Sequence, residues 1–147
     1  MKPHILSVRD ITVRQDHLTV ESPLRRLMIV ETEALKRRTK DFALRILRLY
    51  RTLPRTQEAR IVGTQLLRSG TSIGANYRAA CRGRSRAEFI AKLGIVVEEA
   101  DETLFWLELL QEANIFPTEK LNDLAGEANE LVAIFSSSVR TARGLAQ

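Results

Sequence analysis

The sequence predicts an all-α fold, an antiparallel up-down-up-down four-helix bundle, and three observations carry that expectation. Four stretches place apolar residues at helical spacing, helix-stopping residues separate them around Pro54, Gly83 and Pro117, and every connection is short. Short links make sequential helices antiparallel neighbours. With 147 residues and 44% apolar content, the chain has the length of one domain and can bury a single core.

Residues 1–30 carry Pro3, His4, Pro23 and the β-prone Ile11-Thr12-Val13 with no sustained helical period. They are expected to form a flexible or irregular arm ahead of a bundle spanning 31–144. Met28 stands just before the first convincing helix, which makes it a candidate natural start, with the stretch before it dispensable.

The first helix is expected over about 31–53. Leu35, Phe42, Ile46, Leu49 and Leu53 share a narrow stripe, Arg45, Arg48 and Arg51 lie off it, and Pro54 stops the helix. The second runs over about 56–82 from an N-cap at Thr56. Its apolar arc holds Val62, Leu66, Leu67, Ile73 and Tyr77, with Gly63, Gly70, Gly74 and Cys81 on the same face. Interior glycines cost about 1 kcal/mol each relative to alanine, so their alignment predicts the close approach of another backbone. Ser69–Ser72 leaves room for a local break.

Gly83 suits the left-handed residue after a helix, and Ser85 with Glu88 forms a capping box that opens the third helix, over about 86–113. Phe89, Leu93, Val96, Ala100, Leu104, Leu107 and Leu110 form its main apolar stripe. Ile95, Phe105, Trp106 and Leu109 point elsewhere, so this helix is expected to be buried on two sides, the second at an oligomer interface. The fourth helix, over about 118–142, is capped by Thr118 and buries Leu121, Leu124, Ala125, Ala128, Leu131, Val132, Phe135 and Val139.

The net charge of +5 hides an asymmetry. Residues 1–86 hold 19 Lys and Arg against 7 Asp and Glu, whereas residues 87–147 hold 4 against 11. Such polarity points to an anionic partner for the first half, or to charge-matched contact between halves or subunits. No apolar run approaches the roughly 18 residues of a membrane span, and the N-terminus has no secretory h-region. The lone Cys81 excludes an intramolecular disulfide and fits a reducing cytoplasm, the expected location.

Catalytic chemistry finds no constellation. His4 and His17 both fall in the arm, the Glu-x-x-His pattern of di-iron bundles is absent, and neither phosphate-binding glycine motif occurs. Cys81 lacks a histidine partner and reads as a structural thiol. Glu98, Glu99, Asp101 and Glu102 are densely acidic, and Glu98 and Glu102 share a helix face. They read as solvated or arginine-paired side chains rather than a metal or acid–base pair. A non-enzyme without metal or cofactor is expected.

Arginine placement is more informative. Arg60, Arg68, Arg78 and Arg82 fall within about 80° of arc on the second helix, and Arg84 and Arg86 extend the group through the turn. Forked guanidinium donors suit phosphate, so these six are candidates for contact with RNA or DNA. Few aromatic residues accompany them, so any binding would read backbone charge and weaken with salt. The alternative is a scaffold in which the basic half docks the acidic half of a neighbouring subunit or a partner protein.

The stretch from Leu67 through Ser72, Ile73 and Asn76, followed by Ser85, Glu88 and Phe89, resembles the bacterial four-helix bundle family also called 23S rRNA intervening-sequence proteins. The resemblance spans about residues 39–135, and Glu102 matches an acidic position in the third helix. Glu98-Glu99 departs from a small Gly-Ser pair carried by many members. The resemblance implies a ring-like homopentamer. It extends to the accessory protein of diversity-generating retroelements, a basic pentameric bundle that binds nucleic acid and a reverse transcriptase.

Overall fold

The computed structural model describes residues 23–144 as four helices: α1 (Pro23–Thr52), α2 (Gln57–Cys81), α3 (Arg86–Glu112) and α4 (Thr118–Gly144). Residues 1–22, most of the expected arm, lie outside the described residues, and so do both histidines. The helices pack up-down, each against its sequence neighbour, and α1 and α4 touch only sparingly.

Two boundaries differ from the sequence expectation. Helix α1 begins at Pro23 rather than near Glu31, so residues 23–30 are helical and Met28 falls inside the helix, not ahead of it. Proline suits a first helical position, where its missing amide has no intrahelical partner to lose. The side chains of Leu27, Ile29 and Val30 are exposed and point to three different sides of the helix, so these three residues mark no inward face. Helix α4 starts at Thr118 itself, with the Lys120 amide donating to the Pro117 carbonyl, so Thr118 is a first-turn residue rather than the cap.

Helix α2 is continuous through Ser69–Ser72. The hydroxyls of Ser69, Thr71 and Ser72 donate to the carbonyls of Gln65, Leu67 and Arg68 at 2.9, 2.7 and 2.7 Å, turning back onto their own helix instead of breaking it. Thr56 caps its start, accepting from the Ala59 amide at 3.2 Å. At its end Gly83 is not left-handed. A Cβ there would meet the Ala80 carbonyl oxygen at 3.0 Å, so glycine supplies room rather than conformation. The left-handed residue is Asn114, with φ 53°, after α3. It turns the chain so that the Ile115 and Phe116 amides donate to the Leu110 carbonyl.

The core runs the length of the bundle. Phe42 and Ile46 of α1, Leu66 and Ile73 of α2, Leu93, Val96 and Leu107 of α3, and Leu121, Leu131 and Phe135 of α4 are essentially inaccessible. Tyr77 and Phe135 meet across it with ring centroids 5.1 Å apart. The glycine face of α2 receives α1, though mostly its side chains. A Cβ on Gly63 would strike Leu53 and one on Gly70 would strike Ile46, while only Gly74 meets backbone, the Thr39 carbonyl group at 3.4 Å.

Candidate nucleic-acid interface

The structure divides the candidate arginines by what faces them. Arg68 leans from α2 onto α3, where its guanidinium reaches Glu99 at 3.2 Å and also binds Glu102. The Glu102 carboxylate accepts a second bond from the Trp106 indole at 3.1 Å, and these two donors hold it below the usual carboxylate range. Glu98, its expected companion, is exposed. Arg86 is half-buried and donates to the Ala142 carbonyl at 2.6 Å, satisfying a carbonyl in the last turn of α4. Arg68 and Arg86 therefore tie the bundle together.

Arg38 does the same at the α1–α4 seam. Its Nε and Nη2 bind both oxygens of Glu127 at 2.6 and 2.9 Å, and Nη2 also binds Glu130. This forked pair holds Glu127 below its ordinary value. Because the folded state lowers that pKa, the pair contributes stability above the unfolded value of about 4.3 and loses it as pH falls through the folded value. Glu127→Gln should accordingly flatten the fall in melting temperature below about pH 4.5. An acid limb identical to wild type would contradict the assignment.

Arg60, Arg78 and Arg82 are exposed on the outer side of α2, and Arg84 is exposed in the turn beyond it. A second row, which sequence reading missed, lies on α1. Arg37, Lys40, Arg48 and Arg51 are exposed and fall within about 80° of arc on the side opposite Phe42 and Ile46. The same helical rule that grouped the α2 arginines would have found them, had it been anchored at Arg37 rather than on the apolar stripe. None of these outward cations pairs with a carboxylate among the described residues. On α1, Asp41 is exposed, and Glu33 is bonded to Lys36 at 2.9 Å and held below the usual carboxylate range by that bond, with smaller contributions from the charges of Arg37 and Arg78.

The motif residues are architectural. Ile73 and Phe89 are buried, and the Asn76 amide donates to the Ser72 carbonyl. Ser85 accepts from the Glu88 amide at 3.1 Å, while the Glu88 carboxylate accepts from the Arg84 amide at 2.8 Å, one residue earlier than the simplest capping box. Together they set the α2–α3 turn.

On α3, Phe105 and Ile95 are 53% and 40% exposed, as expected of an outer apolar face. Trp106 and Leu109 instead are partly buried and pack against the core. Phe105 rests edge-on against Trp106, with centroids 4.8 Å apart. Burial raises the thiol pKa of Cys81, the direction of an inert thiol. No helix among the described residues is long and apolar enough to cross a membrane.

The molecule is thus a four-helix bundle whose distinguishing surface is electrostatic. The chain belongs to the 23S rRNA-intervening sequence protein family, whose model matches residues 32–137. It is similar to a crystal structure of a protein with unknown function from the S23 ribosomal protein family of Bacteroides thetaiotaomicron VPI-5482. That likeness has 38% identity and a TM-score of 0.69, covering 74% of this chain and 97% of that one. No curated protein matches the chain. Neither the family nor this neighbour indicates a catalytic family.

Proposed function

We propose that the protein is a non-enzymatic homo-oligomer, a ring-like pentamer, that binds RNA or DNA through the outward-facing cations of α1 and α2. The observation that carries the reading is the sorting of cations. Arg38 and Arg68 are neutralised by carboxylates of α4 and α3, whereas Arg37, Lys40, Arg48, Arg51, Arg60, Arg78 and Arg82 face outward. Cations that served only cohesion would be expected to find their partners within the bundle. The original candidates Arg68 and Arg86 drop out of the binding set, and the α1 row enters it.

A titration of RNA and DNA probes across salt tests this. Binding should weaken steeply as salt rises, because each neutralised phosphate contributes about −0.9 to the log–log slope on duplex DNA. Replacing Arg60, Arg78 and Arg82 together by alanine should weaken binding at least about tenfold and make the slope shallower by about 2–3. Absence of binding to every probe at low salt would overturn the reading and leave the protein-scaffold alternative. Assembly through α3 is supported by the exposed Phe105 and Ile95. Light scattering should return several times the 16.7 kDa of one chain, and Phe105→Asp with Ile95→Asp should lower that mass. A strictly monomeric wild type would remove the oligomer.

A further inference from the structure

Resting on the assembly part of the reading above and not on its nucleic-acid part, we infer that the first turns of α1, residues 26–30, seat head to tail on the outward face of α3 in a second copy of this chain. Both surfaces leave apolar side chains in water. Leu27, Ile29 and Val30 are 55%, 46% and 63% exposed, and on α3 Phe105 and Ile95 are exposed. Arg26 and Val30 stand one turn apart on the side opposite Phe42 and Ile46, with Leu27 and Ile29 on either flank of Val30. The turn therefore offers a neighbour apolar surface over most of its outward half. Leu44 and Ile61 are exposed singly, as surface apolar residues commonly are.

The two surfaces carry opposite charge. Residues 23–30 hold Arg25 and Arg26 and no acid, whereas residues 93–112 of α3 hold no cation. Glu98, Asp101 and Glu112 are exposed there and share the side of Phe105, away from Val96 and Leu107. Arg68 engages Glu99 and Glu102, while these outward three pair with no cation among the described residues. Two α3 faces set together would oppose acid to acid, and two α1 turns would oppose arginine to arginine. Neither patch is self-complementary, as a two-fold symmetric contact requires. Contacts run from α1 to α2, from α2 to α3, from α3 to α4 and, sparingly, back to α1, which puts α1 and α3 at opposite corners. A contact joining one corner of a subunit to the opposite corner of the next repeats head to tail, the arrangement that builds rings.

Light scattering on the full chain and its variants tests the pairing. Leu27→Asp/Val30→Asp spoils the α1 turn and leaves α3 intact, and Phe105→Asp/Ile95→Asp does the reverse. Each should fall from the wild-type mass to about one chain while keeping wild-type helical circular dichroism. The milder Leu27→Ser/Val30→Ser should lower the mass in the same direction. Mixed at equal concentration, the two aspartate variants keep one good surface apiece and should form a species of about two chains that grows no further. Full wild-type mass in the α1 variants would overturn the inference and leave assembly through α3 standing. A mixture no heavier than its components would also overturn it, because intact α1 turns and intact α3 faces would then fail to recognise each other. A monomeric wild type would overturn the assembly reading itself.

Discussion

Gly74→Leu should destabilise the protein by about 3 kcal/mol, near the upper end of what overpacking costs. The position allows no easy escape. A Cβ would lie 3.3 Å from the Thr39 hydroxyl and 3.4 Å from its carbonyl carbon and oxygen, and backbone cannot swing aside as a side chain can. Thr39 is itself fixed, fully buried with its hydroxyl bonded to the carbonyls of Leu35 and Lys36 at 3.0 Å. Gly94 supplies the contrast, since nothing lies within 4 Å of a Cβ there. Gly94→Ala should therefore gain up to about 1 kcal/mol from helix propensity alone. Denaturant unfolding of both variants checks the pair. A Gly74→Leu protein as stable as wild type would show that α1 does not approach α2 at Thr39.

Phe135→Ala should cost about 3–5 kcal/mol in the same measurement, the range for deleting a buried aromatic ring. The side chain is fully inaccessible and meets Tyr77 across the bundle, so its removal leaves a cavity between α2 and α4 rather than a dent at the surface. Phe105→Ala, at an exposed ring, should change the stability of the isolated chain far less. Equal losses for the two would contradict the packing described above.

Much of the fold was legible because burial follows the helical period. Phe42, Ile46, Leu66, Ile73, Leu93, Leu107, Leu121 and Phe135 are spaced to share inward faces, and proline and the capping box mark the breaks. The first turns of α1 were harder to read, since exposed Leu27, Ile29 and Val30 scatter around the helix and mask the line that Leu24 and Met28 share with Phe42 and Ile46 in projection. Gly83 and Asn114 exchange roles for a related reason. Either can take a left-handed conformation, but which turn needs one depends on how the next helix packs, and that is a tertiary question. The candidate site was half legible. Periodicity places Arg68 and Arg78 on neighbouring parts of α2, yet only the position of α3 shows that Glu99 and Glu102 stand opposite the first and not the second. The indole of Trp106 is turned toward that same pair by its bond to Glu102, one turn earlier on the same helix.

The sparing contact between α1 and α4 gives the molecule an uneven hinge-line. Broad contacts run from α1 to α2, from α2 to α3 and from α3 to α4, whereas the seam between the first and last helices is closed chiefly by the Arg38 fork. The bundle is mechanically a ring left nearly open at one seam, with α2 and α3 each held on two sides and α1 and α4 each held broadly on one. Backbone amides of α1 and α4 should be the first to trade hydrogen for deuterium, while those around Leu66 of α2 and Leu93 of α3 hold theirs until the whole bundle opens.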